Sequence, residues 1–224
     1  SREMQIRRDV NSLLNKICPE RMAELVEEIA AIEIKDTVDL ETFTNAIFSH
    51  SVNFKKYSEV YADLIHALIN VYEVPSFVDD ETERKTHFRG ILLHRLQQDV
   101  DALIDSCKKP EDMDPADWAD EFKKIREKAV GCIRIIGNLY LRNVVKVKII
   151  SSVVTSLVFQ HVYPEELLVE LAIELITAIG YTVLDPILQR FYYSNSQIRY
   201  KLKRFNKHFV SKKAFNIEGL GGRI

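Results

Sequence analysis

The sequence predicts an all-α fold, and three of its features do so. Glycine and proline are scarce, at 7 and 6 of 224 residues, whereas sheets joined by tight turns consume both. Apolar residues recur in steps of three and four along almost the whole chain, which is the period of an amphipathic helix. The composition is 46% hydrophobic and 29% charged, enough apolar material for a sizeable buried core. The same proportions exclude collagen-like, low-complexity and disordered chains.

Ten helices are expected, over residues 5–17, 20–34, 39–51, 53–72, 79–106, 114–142, 146–161, 164–181, 185–193 and 195–210. The first carries a stripe of Val10, Leu13, Leu14 and Ile17, and Pro19 separates it from the second. Pro75 marks a loop, and Lys109-Pro110 with Asp114-Pro115 brackets another. Beyond it Trp118, Phe122, Ile125, Ala129, Cys132, Ile133, Ile136 and Tyr140 hold the helical period for over five turns. The β-branched run from Val144 to Val158 has the composition of a strand. Its Val147, Ile150, Val154, Leu157 and Val158 nevertheless step by three and four, which favours a helix. Tyr163-Pro164-Glu165-Glu166 places proline and two acids at a helix start, where the N–H groups are free and the dipole is positive.

Ten helices make about five antiparallel pairs of roughly 45 residues, the repeat length of HEAT-type solenoids, in which helix pairs stack into an α-α superhelix. A globular bundle is the competing all-α arrangement. Residues 1–210 read as one HEAT-repeat domain, and residues 211–224 as a basic, flexible tail. A chain that opens on Ser1 is expected to be a piece of a longer protein.

Motifs for catalysis are missing. Neither G-x-x-x-x-G-K, G-x-G-x-x-G nor G-x-S-x-G occurs. The pairs Glu27-Glu28 and Glu165-Glu166 are adjacent, so on a helix they diverge by about 100° and read as solvated faces. Of the six histidines, His87 and His94 are seven apart and are the pair a metal-dependent enzyme would use, but no carboxylate completes a ligand set. No cofactor is expected. Cys18, Cys107 and Cys132 form no C-x-x-C pair and read as ordinary thiols of a reducing compartment. The most apolar region, Val144 to Leu184, is interrupted by Lys146, Lys148, Glu165, Glu166, Glu170 and Glu174. No membrane span is therefore expected, and cytoplasmic or nuclear residence is, the family resemblance below favouring cytoplasmic.

The formal net charge of -2 conceals an uneven distribution. Residues 190–224 hold nine Lys/Arg against the single acid Glu218, a balance of +8 that leaves −10 on the rest of the chain. On a helical wheel Ile198, Leu202, Phe205 and Phe209 form one seam, while Arg199, Lys201, Lys203, Arg204 and Lys207 fan around the remaining surface. Tyr200 falls opposite the seam among these cations. Two readings fit it: a base-stacking aromatic beside phosphate contacts, or a ring packed under the tail. Lys212 and Lys213 continue the basic character. An RNA-binding role for Arg199, Tyr200, Lys201, Lys203, Arg204, Lys207, Lys212 and Lys213 is the first of these readings.

Five segments resemble, in order, the middle domain of eukaryotic translation initiation factor 4G. Arg8-Asp9-Val10-Asn11-Ser12-Leu13-Leu14-Asn15-Lys16-Ile17-Cys18-Pro19 is similar to that domain's opening, a basic and an apolar residue followed by I/L-L-N-K-L-T-P. The others are Phe88-Arg89 through Gln97, Ile133-Arg134-Ile135-Ile136-Gly137-Asn138-Leu139-Tyr140, Ile179-Gly180 with Leu184-Asp185, and Ser196 through Leu202. The resemblance implies a five-repeat HEAT crescent that acts as a scaffold rather than an enzyme. It also implies binding to the DEAD-box RNA helicase called initiation factor 4A, to RNA and to other initiation factors. Carried over residue by residue, it places apolar helicase contacts on Leu14, Ile17 and Met22, the last where the family has a bulky aromatic. A flexible thioether fills similar pockets. The stripe of Val10, Leu13, Leu14 and Ile17 is equally what any core-facing helix shows, so periodicity leaves packing and partner contact both open. Related scaffolds of mRNA decay, splicing, nuclear cap binding or polyadenylate-binding-protein interaction share the crescent and choose other partners.

Overall fold

The computed structural model describes residues 1–72, 74–78, 85–160 and 165–180. These form α1 (Arg2–Leu14), α2 (Met22–Ala30), α3 (Thr37–Asn53), α4 (Ser58–Asn70), α5 (Phe88–Ser106), α6 (Pro115–Leu141), α7 (Val147–Val154) and α8 (Glu166–Ile179). Short 3₁₀ turns at Pro19–Arg21 and Lys55–Tyr57 lead into α2 and α4, and a π-helical turn, Thr155–Phe159, prolongs α7. The expected helices 185–193 and 195–210, and the tail 211–224, lie outside the described residues.

Local chemistry sets the helix ends. Ser1 Oγ accepts from the Met4 N–H, Asp36 from the Asp39 N–H and Asp114 from the Ala116 N–H, so α1, α3 and α6 each begin on a side-chain cap. Pro115 stands at the first position of α6, where its missing N–H costs nothing. At the far end of α8, Gly180 takes a φ of 66°, a conformation glycine adopts without strain.

Several boundaries differ from the periodic reading, and four of them have a local reason. Cys18 precedes a proline and is extended (φ −153°, ψ 155°), so α1 ends at Leu14 and Ile17 falls in the connection. α2 stops at Ala30, and Ile32 and Ile34 fold back against the core before Asp36 caps α3. α3 runs through Asn53 and breaks only at Phe54 (φ −106°, ψ 55°). The helix expected from residue 79 begins instead at Phe88. Phe77 and Val78 (β1) pair antiparallel with Thr86 and Lys85 (β2), and His87 remains extended.

The helices stack in two layers. In one, α1 packs on α3, α3 on α5, and α5 on the π turn after α7; in the other, α2 packs on α4, α4 on α6, and α6 on α8. Partners within a pair touch across the layers, as α1 does α2, α3 does α4 and α5 does α6. This is the stacking of an all-α helical repeat. One continuous core runs through it, from Ile6, Val10 and Leu14 through Phe43, Phe48 and Tyr61 to Leu171, Leu175 and Ile179. The longest helix, α6, meets α3, α4, α5, α7 and α8.

A buried carboxylate ties the first helix to the third. Arg2 Nε donates to Asp39 Oδ2 at 2.6 Å, and the Lys35 N–H donates to the same oxygen at 3.0 Å. Burial alone would raise the Asp39 pKa, but these two hydrogen bonds and the adjoining positive charges outweigh it and hold the carboxyl below its ordinary value. A carboxyl with a depressed folded-state pKa contributes stability that is fully present above its unfolded pKa, about 3.9. That stability is lost as pH falls through the folded value. Melting temperatures of wild type and Asp39→Asn, followed from pH 6 to pH 2.5, should therefore lie well apart at pH 6 and converge below about pH 3.9. A constant gap across that range would show that the ion pair does not carry the difference.

Candidate partner-binding site

The connection between α1 and α2 carries the first set of expected contact residues, and the structure separates them. Leu14 is 1% exposed and belongs to the core, so it supports the surface from beneath and offers no area to a partner. This corrects its placement as a contact residue: the stripe Ile6, Val10, Leu14 is the buried one. Ile17 and Met22 are half-buried, each resting one side on the core. They stand on either side of the Pro19–Arg21 turn, with Leu13 half-buried beside them.

A polar cluster holds this connection in place. Asn15 Oδ1 lies 3.1 Å from His50 Nε2, and His50 Nδ1 lies 2.7 Å from the Tyr61 hydroxyl. Phe54 stacks on the imidazole, with ring centroids 4.3 Å apart and planes at 21°. Burial lowers the His50 pKa and raises that of Tyr61, so both are neutral at pH 7. The α3–α4 turn is thereby joined to the α1–α2 connection. It carries Phe54 and Tyr57, exposed at 45% and 39%, with Lys56 placed over the Tyr57 ring. In the sequence His50 reads only as one of six histidines without a ligand set, and no pattern marks Phe54, Tyr57 or Tyr61. The available signal was Asn15, whose place in the opening motif is unrelated to the apolar stripe.

Residues 7–217 match the MIF4G domain family. The chain belongs to that family. Relatives of the MIF4G domain described here include eukaryotic translation initiation factor 4 gamma of Dictyostelium discoideum, 26% identical over 216 residues covering 80% of this chain and 16% of that protein. Eukaryotic translation initiation factor 4 gamma 1 of Mus musculus is 26% identical over 198 residues, covering 80% of this chain and 12% of that protein. The chain thus spans a small part of the length of these relatives. Among solved structures, the MIF4G domain of Trypanosoma cruzi translation initiation factor EIF4G5 superposes with a TM-score of 0.65 at 14% identity, over 92% of this chain and 96% of that one. That likeness speaks to the fold.

The second expected site of this MIF4G domain, Arg199, Tyr200, Lys201, Lys203, Arg204, Lys207, Lys212 and Lys213, lies outside the described residues, as do His161 and His208. His87 precedes α5 and His94 lies on it, both exposed. Among the described residues no group of three or more His, Cys, Asp or Glu could hold a metal ion. No described helix is long and apolar enough to cross a membrane. Cys107 and Cys132 are buried, and burial, with a nearby carboxylate, pushes the Cys132 thiol up to about 12, far from the range of a reactive thiolate.

Proposed function

We propose that this MIF4G domain is a cytoplasmic translation-initiation scaffold. It docks a DEAD-box RNA helicase of the initiation factor 4A type on the α1–α2 rim and contacts mRNA through the basic residues between Arg199 and Lys213. The observation that carries this reading is the family match over residues 7–217, together with relatives that are initiation factors 4G. Half-exposed Ile17 and Met22, backed by buried Leu14, give the rim an apolar anchor on a rigid base. A scaffold of this kind accelerates its helicase without supplying catalytic groups. Binding that favours the productive arrangement of the two helicase lobes shifts their equilibrium towards it.

The deciding experiment is the RNA-dependent ATPase rate of an initiation factor 4A helicase with and without this chain. A several-fold stimulation that saturates with added domain is expected, and an unchanged rate with no pull-down would remove the helicase reading. The RNA role is tested separately. Reversing Lys203, Arg204 and Lys207 to Glu should weaken single-stranded RNA binding for all sequences alike. The slope of log affinity against log salt should become shallower by about 2, at roughly 0.7 for each phosphate that is no longer neutralised. Equal affinity of the two proteins at low salt would place the RNA-binding surface elsewhere.

A further inference from the structure

The α1–α2 connection is held to itself by short-range bonds, Lys16 N–H to Leu13 O, Ile17 N–H to Leu14 O and Arg21 N–H to Cys18 O. Bonds of this local kind close a turn but do not fix where the turn stands relative to the next repeat. The Asn15–His50 bond does that, since it joins residues 35 apart. Its polarity follows from chemistry. The Asn15 carbonyl oxygen can only accept, so His50 Nε2 carries the hydrogen and donates. Nδ1 of the neutral ring is then the acceptor, and the Tyr61 hydroxyl donates to it. Tyr61 is 1% exposed and sits in α4, while His50 is 9% exposed in the last turn of α3. One tautomer therefore links three elements in a line, α4 to α3 to the end of α1. Phe54, stacked on the imidazole, covers the ring from the α3–α4 turn.

We propose that His50 is a positioning residue: through Asn15 it fixes the α1–α2 connection on the α3–α4 turn, and so sets where Ile17 and Met22 stand for an incoming partner. This rests on the docking reading of the rim given above. The side chain does not touch the partner. It adds a directional tie to a rim whose backbone bonds are local and whose Ile17 and Met22 rest one side on the core, and a docking residue gains affinity from such preorganisation because less freedom is lost on binding.

Three single variants of the chain, with the double variant His50→Phe/Asn15→Ala, test it. His50→Phe keeps a ring on Phe54 and removes both hydrogen bonds, Asn15→Ala breaks only the bond to the connection, and His50→Gln keeps an N–H donor directed at Asn15. Amide hydrogen exchange is measured at the bonded amides Lys16, Ile17 and Arg21 and, for reference, along α6 and α8. Affinity for an initiation factor 4A helicase is measured in parallel. Exchange at the three connection amides should quicken roughly three- to tenfold in His50→Phe and Asn15→Ala, the equivalent of one net hydrogen bond. Exchange along α6 and α8 should hold steady in Asn15→Ala, His50→Gln should restore slow exchange, and the double variant should add nothing at these amides. Helicase affinity should fall and recover in step with exchange. Unchanged exchange at these three amides in Asn15→Ala overturns the positioning role, as does quickening spread evenly over all helices or a failure of His50→Gln to rescue. If the wild-type chain binds no helicase, the docking reading falls by that measurement alone, while the exchange rates still decide what His50 does.

Discussion

Replacing Gly131 by alanine is expected to destabilise the domain by about 3 kcal/mol or more, although alanine is the better helix former by about 1 kcal/mol. Gly131 lies inside α6, and a Cβ built there would overlap the carbonyl oxygen of Val52 at the end of α3, deep inside van der Waals contact. The neighbour is backbone, so no rotamer change can relieve the clash; α6 and α3 must separate. Gly137, six residues further along α6, is the internal control. A Cβ there meets Ala178, Leu175 and Ile179 side chains at 3.5 to 3.6 Å, ordinary contact distances. Gly137→Ala should be neutral or stabilise by up to about 1 kcal/mol through helix propensity. Urea unfolding of the two variants, followed by circular dichroism, checks the pair. Equal effects would mean that helix propensity, and not the closeness of α6 to α3, governs both.

The second large effect separates Leu14 from Ile17. Leu14→Asp places a carboxyl where the side chain is 1% exposed, among Val10, Val26 and other core residues. Burying a charge without a partner costs on the order of 4 kcal/mol or more, so this variant should lose its helical signal or melt far below wild type. Ile17→Asp lies on the half-buried rim and should cost only about 1–2 kcal/mol of stability, with the helical signal kept. Its helicase affinity should fall roughly thirtyfold, the loss of one hot-spot side chain at about 2 kcal/mol. Circular dichroism with pull-down on the same preparations distinguishes the two roles. If Ile17→Asp folds and binds as wild type does, the α1–α2 rim is not the docking surface.

Much of the architecture is legible in the residues because helix ends leave chemical marks. Pro19 and the Asp114-Pro115 pair each announce a boundary that the structure places within a few residues. The β-branched segment after Val144 is helical because its period, and not its residue type, decides which face is buried. The start of α5 was not legible. The pairing of Phe77 with Thr86 is a contact between distant residues, and no local pattern records it. The candidate site shows the same division. The stripe Val10, Leu13, Leu14, Ile17 is continuous in sequence, yet Leu14 lies inside while Ile17 lies in a connection, because the proline at position 19 forces Cys18 out of the helix. His50 lies in the last turn of α3, and its partners are 35 residues before it and 11 after. A polar link of that span leaves no periodic trace.

α6 ties the repeats together by more than packing. Besides abutting α3 at Gly131, it bonds to α4 through Asn138 to Ser58 and Arg142 to Asp63, and to α8 through Arg126 to Glu170 and Arg134 to Glu174. In an ideal linear array each unit feels only its neighbours, and melting can begin at one end and travel. By meeting both helices of each adjacent pair as well as its own partner α5, α6 strengthens the neighbour coupling on both sides. The second, third and fourth helix pairs should rise and fall as a single cooperative block. A pull on one edge of that block is then felt at the other as displacement, with little of it dissipated in between.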